Sequence, residues 1–262
     1  MIRLVAILSL AAITLTGCTS AQVSRERQQS RAATAFLDRQ GSIGDPGRVA
    51  AADFAMARAA REDGQASAML ASAAAGAQVH LPTGLAPAAG ALRSLAEARR
   101  TNPAGADIWE PNTVWSSCDG TMAVTFGRVT EADGLVGSYA AVWQLQRNNS
   151  YRWVYRITAR DVPQPPPPVA DDIPDDAIVV PGLSSISGMI ADCPRAGAES
   201  SAPPPVGSVD GSAAMTLSDD GTLGWSQATA PRGQRRFVLH WLRDGEWQTA
   251  LDFAPVPWPE GA

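Results

Sequence analysis

Apolar positions along this chain fall first into helical and then into alternating order. An apolar run from Leu4 to Leu15 follows Arg3. It is shorter than the roughly 20 residues a membrane span takes and has the length of a secretory signal core. Residues 19–46 are polar and alanine-rich, and glycines and Pro46 close them, a composition suited to a tether. From Arg48 to Asp63, Val49, Ala52, Met56 and Ala60 recur at helical spacing before Gly64. A second helix is expected over Gln65–Ala75 and a strand over Ala77–Leu81, stopped by Pro82-Thr83-Gly84. A third helix is expected over Ala88–Arg100, presenting Leu92 and Leu95.

From Ile108 onward the period changes to two. Thr121–Val129, Val136–Gln146 and Tyr151–Arg160 alternate and are rich in aromatic and β-branched residues. Asp119-Gly120, Asp133-Gly134 and Asn148-Asn149 supply turns that tolerate positive φ. Alternation puts Met122, Val124 and Phe126 on one face and Thr121, Ala123 and Thr125 on the other. By the same rule Tyr139, Ala141, Trp143 and Leu145 share a face, as do Trp153, Tyr155 and Ile157. The expectation is a curved antiparallel sheet with one side buried. The proline run from Pro163 to Pro168 favours a stiff extended connector. Residues 169–212 are acidic and then rich in Pro, Ser and Gly, with only Ala177–Val180 strand-like. Four short strands close the chain, at about 213–218, 222–228, 235–243 and 246–254, joined by Asp220-Gly221 and Asp244-Gly245. This meander is small to stand alone and is expected to pack on the first block.

Composition narrows the function classes. The 262 residues are 45% apolar, enough for a real core, and the net charge is −5. All 21 basic residues are arginine, without a dense basic stripe, so nucleic acid is a poor partner. No cysteine has a second Cys or His at metal-ligand spacing, and no Gly-rich phosphate loop is present. No metal or cofactor is therefore expected.

Leu15-Thr16-Gly17-Cys18, at the end of the apolar run, resembles the lipobox of bacterial lipoproteins. That resemblance implies cleavage before Cys18, acylation of its thiol and new amino terminus, and anchoring to a lipid bilayer. Thr19 stands where aspartate is the usual inner-membrane retention signal, which favours the outer membrane facing the periplasm. Acylation of Cys18 leaves Cys118 and Cys193. In an oxidising compartment such a pair points to a disulfide, with two buried free thiols as the alternative.

Helix, helix, strand, helix and a long hairpin sheet is the order of the nuclear-transport-factor-2-like superfamily and its SnoaL-like members. Asp53-Phe54-Ala55 with Arg61-Glu62-Asp63-Gly64 resembles that family's first helix and its stop. Trp109-Glu110-Pro111, Ser117-Cys118-Asp119-Gly120, Gly127, Gly137, Val142-Trp143 and Tyr151-Arg152-Trp153-Val154 resemble its hairpin motifs, so the likeness covers about 48–161. No family motif falls on the C-terminal segment. The resemblance implies an α+β fold in which three N-terminal helices cover a cone-shaped curved antiparallel sheet, often as a homodimer. A small C-terminal β-meander follows. The division is 1–17 signal peptide, 18–47 tether, 48–162 nuclear-transport-factor-2-like domain, 163–212 Pro-rich connector and 213–262 meander.

The superfamily holds isomerases, dehydratases and hydrolases beside non-catalytic binders, so the fold does not choose a function. Its catalytic sets cannot be aligned with this chain. His80, on the strand after the second helix, is the candidate general base, with Asp53, Asp107 or Glu110 as partner. The alternative is a satisfied or surface His80 and a solvated Asp53. Trp109, Trp115, Tyr139, Trp143, Trp153 and Tyr155 could line a pocket for a small apolar ligand, or simply fill a core. His240 is expected to face solvent. The leading expectation is a non-catalytic envelope lipoprotein that binds a small molecule or a partner. An enzyme using His80 and a dimeric scaffold using an open sheet face are the alternatives.

Overall fold

The computed structural model describes residues 43–101, 105–166, 185–194, 202–204, 215–229 and 234–256. The signal run, Cys18 and the Ala177–Val180 segment lie outside them. Helix α1 spans Pro46–Asp63, starting two residues before the apolar pattern because Asp45 caps it, accepting a hydrogen bond from the Arg48 amide at 3.2 Å. Val49, Ala50, Asp53, Met56, Ala57 and Ala60 form its buried stripe. Gly64, at φ +92°, turns the chain into helix α2, Gln65–Ser72.

Helix α2 stops short of the expected Ala75. Ala73 is already extended and pairs with Trp153, opening strand β1, Ala73–Leu81. Pro82 and Thr83 do not end the sheet there; they fold the chain back into a short strand β2, Gly84–Pro87, antiparallel to β1. Helix α3, Ala88–Thr101, follows, with Ala88 and Leu92 buried.

Strands β3 (Ile108–Ser116), β4 (Met122–Thr130), β5 (Val136–Leu145) and β6 (Tyr151–Arg160) form an antiparallel meander. A further strand, β7 (Ser187–Ile190), adds parallel to β3, inside the segment expected to be a plain connector. The sheet order is β2-β1-β6-β5-β4-β3-β7. The fold is α+β, with a large curved, mostly antiparallel sheet and three helices among the described residues. Neighbouring backbones close in at Gly127 and Gly137, where a Cβ would overlap the carbonyls of Glu110 and Ala159.

Two bulges reassign faces that strict alternation would fix. In β3 the register shifts between Pro111 and Thr113, so Trp109 joins the helix-side core while Trp115 joins the opposite one. In β6 the shift falls between the Trp143–Trp153 and Val142–Tyr155 pairs, leaving Val154 as the extra residue. Trp153 therefore faces the helices, whereas Tyr155 and Ile157 face away, not together as alternation predicts. Arg156 is turned inward by the same bulge.

The expectation of a one-sided sheet is also corrected. Strands β8 (Thr216–Leu217), β9 (Leu223–Thr229), β10 (Arg235–Arg243) and β11 (Glu246–Phe253) form a second sheet, ordered β11-β10-β9-β8. Leu223, Phe237, Leu239 and Trp241 pack with Trp115, Met122, Val124, Ala140, Val142, Tyr155 and Ile157 of the first sheet. The main sheet is thus sandwiched, with helices on one side and the C-terminal sheet on the other. The C-terminal strands stack on the main sheet; they do not extend it.

A repeat lies behind this arrangement. Ser117-Cys118-Asp119-Gly120-Thr121-Met122 and Ser218-Asp219-Asp220-Gly221-Thr222-Leu223 share Ser, Asp, Gly and Thr in register. Both form the turn entering a strand. Asp119 accepts from Ser117 Oγ at 2.7 Å and Asp220 from Ser218 Oγ at 2.7 Å. The glycines sit at φ +72° and +66°. Leu145 N donates to Thr121 O at 2.9 Å, and Leu242 N to Thr222 O at 2.8 Å. The C-terminal sheet therefore repeats the turn-and-hairpin construction of the main sheet. Cys118 and Cys193 form the expected disulfide, joining the first of these turns to the segment after β7.

Candidate functional site

Between α1 and the inner face of the sheet lies a buried polar group built around Asp53. One turn of helix after Val49 brings this carboxylate onto the stripe that faces the sheet, where it is fully buried. Its Oδ1 accepts from Trp109 Nε1 at 2.9 Å; its Oδ2 accepts from Thr125 Oγ1 at 2.7 Å and Tyr139 OH at 2.9 Å. Trp143 Nε1 extends the network by donating to Thr125 Oγ1 at 3.1 Å. Asp53 is thus neither solvated nor paired with a histidine. Its two oxygens hold three donors from β3, β4 and β5 against α1.

Arg156 enters the same interior from β6 and is 5% exposed. Its guanidinium carbon stands 4.2 Å from the centre of the Tyr139 ring and 4.7 Å from that of Trp109. Its Nη1 is buried and has no hydrogen-bond partner. Burial, and next the Asp53 charge, push the Tyr139 hydroxyl far above the usual phenol range. That hydroxyl is a fixed donor to Asp53 and not a mobile proton source.

His80 is buried as well, but on the other side of the sheet. Its Nδ1 meets Tyr155 OH at 2.7 Å and its Nε2 meets Thr229 Oγ1 at 2.8 Å, while Arg235 donates to its backbone carbonyl. Burial, and then the Arg235 charge, lower its pKa to about 4, so the ring is neutral near pH 7. The Tyr155 ring packs between His80 and the aromatic pair Trp225 and Phe237. The main sheet thus stands between His80 and Asp53.

The remaining candidates fall elsewhere. Asp107 accepts from Gln65 Nε2 at 2.6 Å and from the Ala132 amide at 3.2 Å, and pairs with Arg99 at 3.2 Å. It ties α2, α3 and the β4–β5 turn together. Glu110 is exposed. The six aromatic candidates do not line one space. Trp109, Tyr139, Trp143 and Trp153 face the helices, whereas Trp115 and Tyr155 lie in the core between the sheets. Trp153 Nε1 donates to Met69 O at 2.9 Å, fixing α2. His240 is half-buried, with Thr249 Oγ1 at 3.3 Å from its Nδ1. Among the described residues no group of His, Cys, Asp and Glu is placed to hold a metal ion, and no helix is long and apolar enough to cross a membrane.

Sequence reasoning missed Arg156 and Thr125. Alternation from Trp153 sends Arg156 to the outside, and only the bulge at Val154 brings it in. Nothing in the local pattern marks that bulge.

No family model matches the chain, and no curated protein matches it. Among solved structures, the chain is similar to a protein of unknown function with a cystatin-like fold from Methylobium petroleophilum. The identity is 12% and the TM-score 0.34, over 54% of this chain and 98% of that one. It is also similar to a candidate polyketide cyclase from Xanthomonas campestris pv. campestris (17%, TM-score 0.33, over 45% and 93%). Aln2 from a Streptomyces species is similar at 17% identity and a TM-score of 0.35, over 46% and 96%.

Proposed function

We propose that this chain is a lipid-anchored protein of the bacterial envelope, with a nuclear-transport-factor-2-like domain that binds a small molecule without transforming it. The proposed site is the helix-side interior around Arg156, whose guanidinium lies beside the rings of Trp109 and Tyr139. One observation carries the reading. Arg156 Nη1 is buried with no partner, in an interior whose other polar groups are paired off around Asp53. An unmet buried donor costs about 1–3 kcal/mol, more when charged, and a ligand acceptor removes that cost.

The geometry around Tyr139 and His80 supports the non-catalytic reading. Tyr139 is held as a donor to Asp53, and the histidine that would complete an acid–base pair is on the far side of the sheet. The His80 enzyme reading has lost its partner carboxylate. The scaffold reading joined dimerisation through an open sheet face to partner docking on the C-terminal strands; β9 and β10 cover that face. Anchoring rests on the lipobox resemblance at Cys18. Two acyl chains hold a protein stably, whereas one is marginal.

The test is native mass spectrometry of the full chain released from membranes in mild detergent. A discrete small molecule should leave the protein on activation, and the Trp109→Ala variant should arrive empty. A protein that carries nothing in repeated preparations, and binds nothing from a cell extract, would remove this reading. Labelling with a radioactive fatty acid checks the anchor, and Cys18→Ala should abolish incorporation.

A further inference from the structure

The two Ser-x-Asp-Gly-Thr turns meet across the sheets, and the hydrogen bonds between them come in twins. Asp119 N donates to Asp220 Oδ2, and Asp220 N to Asp119 Oδ2. Cys118 N donates to Thr222 Oγ1, and Asp219 N to Thr121 Oγ1. Exchanging the two turns leaves this set of bonds unchanged, which is the mark of a two-fold contact between like surfaces. We infer that the main-sheet face beneath the C-terminal sheet is a self-recognition surface. The outside partner it fits is a second copy of this chain, and the C-terminal sheet keeps the chain monomeric by standing in that copy's place.

Each turn carries all the groups that the contact uses. The Asp119 turn gives the amides of Cys118 and Asp119 and receives on Asp119 Oδ2 and Thr121 Oγ1. A second Asp119 turn therefore supplies the same donors and acceptors as the Asp220 turn. Cys118 in place of Asp219 changes nothing in that set, because each of them enters it through its amide. The surroundings of the turn agree. Trp115, Met122, Val124, Val142 and Ile157 form an apolar face that packs against Leu223, Phe237 and Leu239. Uncovered, a face of this kind is buried against a partner. Two such faces brought together about paired Asp119 turns cover one another. Being part of the same chain, the C-terminal sheet competes at an effective concentration on the order of millimolar, above that of a separate copy.

The test is native mass spectrometry of the detergent-solubilised full chain across a hundredfold range of concentration. The wild type should stay monomeric. Leu239→Asp puts a carboxylate into the contact between the sheets, which should lift the C-terminal sheet away and give a discrete dimer. Adding Asp119→Asn to that variant should weaken the dimer at least tenfold. Asp119 Oδ1 accepts from Ser117 Oγ and Thr121 N of its own turn, whereas Oδ2 reaches across to Asp220. Asparagine keeps the first acceptor and replaces the second with a donor that faces the partner's amide. If hydrogen exchange shows β4 and β5 unfolded in Leu239→Asp, the milder Asp220→Asn takes its place, and its dimer fraction should exceed that of the wild type at equal concentration. A dimeric wild type would overturn the inference, as would a monomeric or irregularly aggregated Leu239→Asp with β4 and β5 intact. So would a dimer indifferent to Asp119→Asn, or an Asp220→Asn chain no more dimeric than the wild type.

Discussion

Asp119 and Asp220 each accept the other's backbone amide: Asp119 N donates to Asp220 Oδ2 at 2.8 Å, and Asp220 N donates to Asp119 Oδ2 at 3.1 Å. The exchange is reciprocal because both residues occupy the same position of the repeated Ser-x-Asp-Gly-Thr turn. Thr121 and Thr222 serve the partner turn in the same way, accepting from Asp219 N at 3.2 Å and Cys118 N at 2.9 Å. The two sheets are thus clipped together by one device used twice.

Each aspartate therefore supports its own turn and its twin. Asp119→Ala and Asp220→Ala should each cost roughly 2–3 kcal/mol in urea unfolding, since each strands several amide and hydroxyl donors. The double variant should cost clearly less than the sum, because either change alone already breaks the clip. Strict additivity would show that the turns act independently.

The buried network at Asp53 gives a graded series. Asp53→Ala leaves Trp109, Thr125 and Tyr139 without their acceptor and should cost about 3–5 kcal/mol. Tyr139→Phe removes one donor and keeps the ring, so about 1 kcal/mol is expected. Guanidinium unfolding followed by tryptophan fluorescence orders the two. A Tyr139→Phe loss as large as that of Asp53→Ala would contradict the geometry.

His80 makes docking of the C-terminal sheet sensitive to acid. Its folded pKa is about 4, below the ordinary 6.5, so the unfolded chain takes up its proton first. The contribution is fully present above pH 6.5, is lost as pH falls from 6.5 to 4, and stays lost below that. It should amount to roughly 2–3 kcal/mol, somewhat less than the pKa difference implies because part of the charge is screened by solvent. Melting temperatures of the wild type and His80→Gln, measured from about pH 7.5 to about pH 3.5, should differ in slope over that window. Parallel curves would mean that His80 contributes nothing.

Reducing the Cys118–Cys193 bridge should loosen β7 and the edges of both sheets before the helices. The bridge spans 75 residues, for which chain-entropy arguments give roughly 4–5 kcal/mol as an upper value. Hydrogen exchange on the Cys118→Ala, Cys193→Ala chain should rise first at Ala191 and Asp192, whose amides bond to Ser116 and Leu242. Faster exchange in α1 instead would place the bridge's influence elsewhere.

What the sequence made legible was local and periodic. Val49, Met56 and Ala60 announced the buried face of α1, and paired Asp-Gly and Asn-Asn residues announced the hairpins. Two cysteines, set in a compartment expected to be oxidising, announced their bond. The illegible part was set by single-residue irregularities and by contacts distant in the chain. Bulges at Asn112 and Val154 have no period, yet they decide that Trp115 and Tyr155 leave the inner face and that Arg156 enters it. Strand β7 is four residues with a glycine, too short to show alternation. The docking of the second sheet had a visible signal in the repeated Ser-x-Asp-Gly-Thr, which comparison of the chain with itself would have exposed.

One corner of the molecule joins several paths of the chain. Gly44 donates to the Cys118 carbonyl at 2.7 Å, and a Cβ there would overlap the Ser117 carbonyl. Cys118 carries the disulfide, and its amide is held by Thr222. If the amino terminus is held in a bilayer, any pull on the protein reaches the fold at this corner. The Cys118–Cys193 bond ties the turn that Gly44 meets to the segment after β7. In mechanical terms the corner is a clamp, and the force needed to strip the first helix from the sheet should fall once the bridge is reduced.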